Sequence, residues 1–158
     1  LGAKNINEAI SKKWEKIVKD KDIRLFWATG KDNFEQATYR MRNFGSAVVK
    51  PYFDNAADLM AAVDLVICRA GASTISELIE LEKPAILIPY DFVGQKENAD
   101  VLEYADAAKI FSNEEVDKAL EEALELVKQD SILGFMSSNA KTLKKGNAAN
   151  IILKEMEI

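Results

Sequence analysis

Histidine is absent from these 158 residues. An acid/base step that relies on an imidazole must therefore be supplied from outside the chain. Cysteine is nearly absent: Cys68 stands alone, which leaves no disulfide and no cysteine-based zinc cluster, and fits a reducing compartment. No apolar run approaches the roughly 20 residues of a membrane-spanning helix, and no secretory signal opens the chain. Positive charge is short as well. With 21 Lys and Arg against 26 Asp and Glu, the net charge is -5 and no basic run occurs, which argues against a nucleic-acid partner. An initiating methionine is missing too: the chain opens Leu1, Gly2, Ala3, as a piece of a longer protein would.

What is present is the balance of a globular domain, 48% hydrophobic and 30% charged, in a chain long enough to bury one core. Apolar residues at Ile6, Ala9, Ile10, Trp14, Ile17 and Val18 predict a helix over Asn5 to Lys19. Ile23 to Ala28 reads as a strand, Asn33 to Met41 as a helix, and Ala47 to Val49 as a short strand running into Pro51. A helix over Ala56 to Val63, a strand over Leu65 to Cys68 and a helix over Thr74 to Leu81 follow. The apolar run Ala85 to Ile88, held between Pro84 and Pro89, is a buried strand by composition. Gln95 to Ala105 is a helix, Ala108 to Phe111 a strand, and Ser112 with Glu114 and Glu115 caps a helix reaching about Val127. Helices over Ile132 to Leu143 and Ala148 to Met156 close the chain. Strand and helix alternate, so the expected class is α/β, a Rossmann-like, doubly wound parallel sheet. Such sheets bind ligands beyond the carboxyl ends of their strands. Thr29 and Gly30, Tyr52 and Phe53, Arg69 to Ser73, and Tyr90 to Gln95 all fall there.

The stretch Asp64 to Leu81 carries the sharpest signal: a strand, a glycine turn and an immediate helix. The first N–H groups of a helix lack intrahelical partners and attract anions. Small residues at Gly71, Ala72, Ser73 and Thr74 would let a phosphate approach, with Arg69 as a second cation. The competing account is structural, because Thr74 and Glu77 have the spacing of a capping box. Glu77 also suits a ribose, since one carboxylate accepts two vicinal hydroxyls. Gly2 and Ala3 have the look of a second phosphate loop at the first helix. Tyr52 and Phe53 are placed to cap a planar base, although aromatics between a strand and a helix are more often core. Gln95 and Asn98 carry amides suited to sugar hydroxyls, or simply start a helix. Cys68 reads as a small core residue. No carboxylate pair is placed for glycoside hydrolysis.

Four segments taken together resemble the MurG family of glycosyltransferases: Leu1 to Asn7, Ile67 to Glu77, Lys83 to Tyr90 and Gln95 to Ala99. The resemblance covers essentially the whole chain but only the C-terminal half of those enzymes. It implies that residues 1–158 form the UDP-sugar-binding domain of a two-domain GT-B enzyme. That enzyme takes N-acetylglucosamine from UDP-N-acetylglucosamine and makes lipid II from lipid I, in the cytoplasm at the inner face of the cell membrane. On that pattern Glu77 holds the ribose, while Ala72, Ser73 and Thr74 meet the diphosphate with Arg69 beside them. Tyr52 caps the uracil, the Phe53 backbone reads the base edge, and Gln95 and Asn98 serve the sugar. Transfer would invert the anomeric carbon by direct attack of the muramoyl 4-hydroxyl. No cofactor or metal is implied, and no catalytic residue is expected in this half.

Departures from the family pattern are specific. A Gly-Gly-Ser segment and the first strand of the domain should stand ahead of Leu1, and the serine would be a phosphate contact. Gly94 replaces a polar residue before Gln95. The acceptor-binding domain, which would meet lipid I, is not in this sequence. A sheet short of a central strand should expose unpaired edges, so an added strand, a strand exchanged between chains, or a rearrangement is expected. Two other identities fit the same residues: a dolichol-linked N-acetylglucosaminyltransferase subunit, and a non-catalytic Rossmann-like module whose caps are only structural.

Overall fold

The computed structural model of the protein describes residues 3–91 and 94–144. Gly2 and the helix expected over Ala148 to Met156 lie outside the described residues. Helix α1 spans Lys4–Lys19 and buries Ile6, Ala9, Ile10, Ile17 and Val18, one stripe at helical spacing. Lys16 and Lys19 sit in its last turn, where the helix dipole favours cations. Strand β1 (Leu25–Ala28) follows, and helix α2 (Lys31–Met41) carries the chain to β2 (Ala47–Lys50), paired parallel to β1. Helix α3 (Ala56–Ala62) leads into β3 (Val66–Cys68), α4 (Ala72–Glu80) into β4 (Ala85–Leu87), and α5 (Gln95–Tyr104) into β5 (Ala108–Ile110). A 3-10 turn over Asn113–Glu115, closed by the Ser112–Glu115 capping box, opens α6 (Val116–Leu126), and α7 (Asp130–Thr142) ends the described chain.

Strand β4 explains why the architecture is doubly wound. Ala85, Ile86 and Leu87 are all fully enclosed, so both faces of this strand must be covered. Ile86 packs with Ile88 beneath α1 and α6, while Leu87 and Ala85 pack with Ile75 and Leu78 of α4 and Leu102 of α5. All pairings are parallel, as the alternation required.

The sheet is not continuous. It comes in two pieces, β1 with β2, and β3, β4 and β5 in that order. Between them lies a cavity of about 660 Å³, walled by Ile23 to Ala28 on one side and Asp64 to Arg69 on the other. Leu25 and Thr29 donate their N–H groups toward β2, at Ser46 and Lys50 carbonyls. Backbone groups alternate along a strand, so those of Phe26 and Ala28 point the other way, at the cavity. On β3, Val66 donates to the Pro84 carbonyl and the Cys68 carbonyl accepts from Ile88, which leaves Ile67 aimed at the cavity. The expected interruption of the sheet is present as this slot between β1 and β3. No filling rearrangement is present among the described residues.

Candidate functional site at the carboxyl edge of the strands

Helix α4 begins three residues earlier than the capping box requires. Gly71 is its N-cap, with φ -64° and ψ 146°, and no side chain caps the end. The first intrahelical bond runs from the Ile75 N–H to the Gly71 carbonyl, at 2.9 Å. Thr74 is therefore already the third helical residue, and Glu77 is too deep to reach back to a helix end. The Thr74–Glu77 capping box does not form. Ile75 and Leu78, three residues apart on one face of this helix, pack into the core. The N–H groups of Ala72, Ser73 and Thr74 have no acceptor among the described residues. Ala72 and Ser73 are exposed, and so is Glu77 one turn on, whose carboxylate has no hydrogen bond or ion pair there. Three free donors and a free carboxylate thus stand together.

Arg69 leaves β3 and stays inside the protein. Its Nη1 donates to the Ile88 carbonyl at 2.8 Å and to Asn113 Oδ1 at 2.6 Å. The guanidinium lies 4.0 Å from the centre of the Tyr90 ring, a stacked cation–π contact. Asn113 in turn donates to the Pro89 carbonyl at 3.3 Å and to Asp91 at 3.4 Å, and accepts from Asn5 of α1 at 3.4 Å. The sequence assigned Asn113 only to a helix start. Its side chain also gathers the ends of β3 and β4 and the first turn of α1.

The residues expected at the sugar side are tied to the same edge. Gln95 Oε1 accepts the Tyr90 N–H at 3.2 Å, and Asn98 Nδ2 donates to the Ala70 carbonyl at 3.2 Å. Gln95 thus closes its own loop and Asn98 holds the turn that leads into α4. Gly94, with φ +63°, is in the left-handed region, a backbone conformation that favours glycine. On the far side, Tyr52 is 60% exposed. The reading of this tyrosine as core is therefore wrong, since the segment after β2 runs on the surface. Phe53 is half-buried, with Lys50 Nζ 5.6 Å from its ring centre.

One buried polar group was not legible beforehand. Asn7, on the core side of α1, accepts from Trp27 Nε1 at 2.9 Å and donates to the Thr29 carbonyl at 2.8 Å. The bridge fixes the first turns of α1 against the end of β1, beside the Gly30 turn with its φ of +73°. Ala3, the N-cap of α1, lines the cavity mouth. Cys68 is half-buried on the cavity wall, and burial pushes its thiol up to about 12, with the Glu77 carboxylate adding to the rise. Among the described residues no cluster of three or more Cys, Asp or Glu could hold a metal ion, and no helix is long and apolar enough to cross a membrane.

The chain is similar in sequence and fold to known proteins. The profile of the glycosyltransferase family 28 C-terminal domain matches residues 1–155. The UDP-N-acetylglucosamine–N-acetylmuramyl-(pentapeptide) pyrophosphoryl-undecaprenol N-acetylglucosamine transferase of Fusobacterium nucleatum is 48% identical over 161 residues, covering 100% of this chain and 45% of that protein. The transferase of the same name from Acetivibrio thermocellus is 35% identical over 158 residues, covering 96% of this chain and 43% of that protein. The crystal structure of Acinetobacter baumannii MurG matches with a TM-score of 0.83 at 26% identity, over 98% of this chain and 46% of that one. The chain thus spans less than half the length of the curated relatives it matches. Its sequence and its fold agree over nearly its whole length, and the chain belongs to glycosyltransferase family 28 as that family's C-terminal domain.

Proposed function

We propose that this chain is the donor-binding half of a transferase that moves N-acetylglucosamine from UDP-N-acetylglucosamine to lipid I in peptidoglycan synthesis. The observation that carries the reading is the start of α4, where three N–H groups without an acceptor among the described residues stand one turn from the Glu77 carboxylate, which has no partner there either. A diphosphate is the anion such a helix end takes, and a ribose is what a free carboxylate beside it accepts. Exposed Tyr52 supplies a stacking face for the uracil, with the Phe53 backbone at the base edge. Gln95 and Asn98 serve the sugar side, and Ala3, at the start of α1, offers a second phosphate contact. In transfer, the muramoyl 4-hydroxyl oxygen bonds to the anomeric carbon as the bond to UDP breaks, and the hydroxyl proton passes to a base on the acceptor side, outside these residues. The helix-end donors of Ala72, Ser73 and Thr74 then stabilise the departing diphosphate.

In this reading the acceptor side belongs to a further domain ahead of Leu1, and the whole enzyme works in the cytoplasm against the inner face of the membrane, where a lipid-linked acceptor is held. The 158-residue chain alone is then expected to bind UDP weakly and to make no lipid II, and product from the isolated chain would sink this division of labour. The decisive variant is Glu77→Ala. UDP affinity should fall about tenfold or more, roughly the loss of a charge-assisted hydrogen bond, while 2′-deoxy-UDP binding should change far less. Stability should move by less than about 0.5 kcal/mol, since Glu77 is an exposed residue without a partner. The opposite pattern, lost stability with unchanged affinity, would make Glu77 a structural residue.

We also infer that the slot between β1 and β3 seats one parallel strand, supplied by the residues directly ahead of Leu1. A strand climbing the slot would emerge beside Ala3 and enter α1 without a detour. The inward N–H groups of Phe26, Ala28 and Ile67 would become its ladder. In the longer protein their hydrogen exchange should slow sharply relative to the 158-residue chain. A dimer whose formation produces the same protection would mean the strand is exchanged between copies.

A further inference from the structure

Arg69 has one polar atom that the described protein does not satisfy. Its Nη1 is shared between Ile88 and Asn113, and its face is covered by Tyr90, but Nε is enclosed with no hydrogen-bond partner. An enclosed guanidinium donor left unpaired is costly, so such a group normally marks a missing acceptor. Arg69 is also one of the residues lining the slot, at the end where an upward-running strand would leave it.

We propose that Arg69 is a positioning residue whose Nε–H bonds a main-chain carbonyl at the carboxyl end of the strand seated in the slot. This inference rests on the strand reading given above. It assigns the guanidinium to three carbonyl-type oxygens, from the seated strand, Ile88 and Asn113, rather than to the diphosphate. Five N–H donors in a rigid fork make arginine able to hold such a set, and lysine cannot reproduce it. Through Asn113 the same side chain reaches Pro89, Asp91 and Asn5, so seating the strand would fix the first turn of α1 and the β4 end together. The site would then be completed only when the slot is full.

The test compares the ¹⁵N-labelled 158-residue chain with the longer protein carrying the residues ahead of Leu1. In the longer protein the Arg69 Nε–H should exchange with water at least tenfold more slowly, alongside the inward amides of Phe26, Ala28 and Ile67. Protected amides with an unchanged Nε–H would overturn the role of Arg69 while leaving the seated strand intact. Unprotected amides would remove the strand reading and this inference with it. A second arm uses Arg69→Lys in the longer protein, titrated with UDP and with uridine. Both affinities should fall together, their ratio holding within about threefold, and the Asn113 side-chain amide resonances should shift. A tenfold loss confined to UDP would show Arg69 to be a phosphate ligand and would overturn the inference.

Discussion

Glu77 and Arg69 show how far residue identity alone reaches. Both stand in the segment that singled itself out, and both have the chemistry expected there. The sequence left Glu77 between two roles, and one backbone fact removes the capping role: α4 starts at Ala72, so no helix end is near enough for Glu77 to cap. Arg69 went the other way, because the sequence showed a cation at a ligand edge and not the acceptors around it. Ile88 and Asn113 are 19 and 44 residues away, and no local pattern encodes that meeting. Cys68 gives the prediction of this scale. Burial holds its thiol at about 12, against an unfolded value near 9, so the folded chain keeps the proton that the unfolded chain gives up. Stability should therefore decline as pH rises from about 9 toward 12, and Cys68→Ala should remove that part of the decline. At pH 8 iodoacetamide should leave the native thiol unmodified and label it fully in denaturant, because only the thiolate reacts. Prompt labelling of the folded chain would show the thiol to be ionised and the cavity wall wet.

At the scale of elements, the helices and strands with strong periodicity were legible and those set by tertiary contact were not. The run Ala85 to Ile88 could be read as a buried strand because every residue in it is apolar, and β4 is enclosed on both faces. The start of α4 was misplaced because Gly71 and Thr74 are both acceptable at a helix end, and the spacing of Ile75 and Leu78 fits either. Asn7 escaped notice for a related reason. A polar residue in an amphipathic helix is assigned to the wet face by default, yet Asn7 is 5% exposed and braces Trp27 against α1. Removing it tests that brace. Asn7→Ala leaves the Trp27 Nε1–H buried without an acceptor and takes a donor from the Thr29 carbonyl, which should cost about 2–3 kcal/mol in urea unfolding. Trp27→Phe introduced on top should recover part of the loss, since the orphaned donor is then gone. Equal costs for the single and double variants would mean that the bridge contributes nothing beyond packing.

For the molecule as a whole, the slot matters more than any single contact, because it interrupts the ladder that would otherwise make the sheet one unit. Strands β1 and β2 with α2 touch the three-stranded piece chiefly through α1. That helix packs Ile6 and Ile10 toward Ile86, Ile88 and the buried face of α6, and pairs Lys13 with Glu121. A second pair, Asp20 with Lys128 at 2.5 Å, closes the far end. Exposed ion pairs of this kind contribute little, so the join rests on the apolar face of α1. Cooperative units of a protein open at different free energies when few buried contacts cross between them. Amides of β1, β2 and α2 should accordingly exchange through a partial opening below the global unfolding free energy, and those of β4 only through global unfolding. Native-state hydrogen exchange in rising urea would separate the two groups by their denaturant dependence. A strand seated in the slot, as proposed, would supply a ladder there, so in a longer protein that carries it both groups should merge into one isotherm. A single isotherm in the 158-residue chain would mean that α1 alone couples the halves fully, and that the interrupted sheet is no weaker than a closed one.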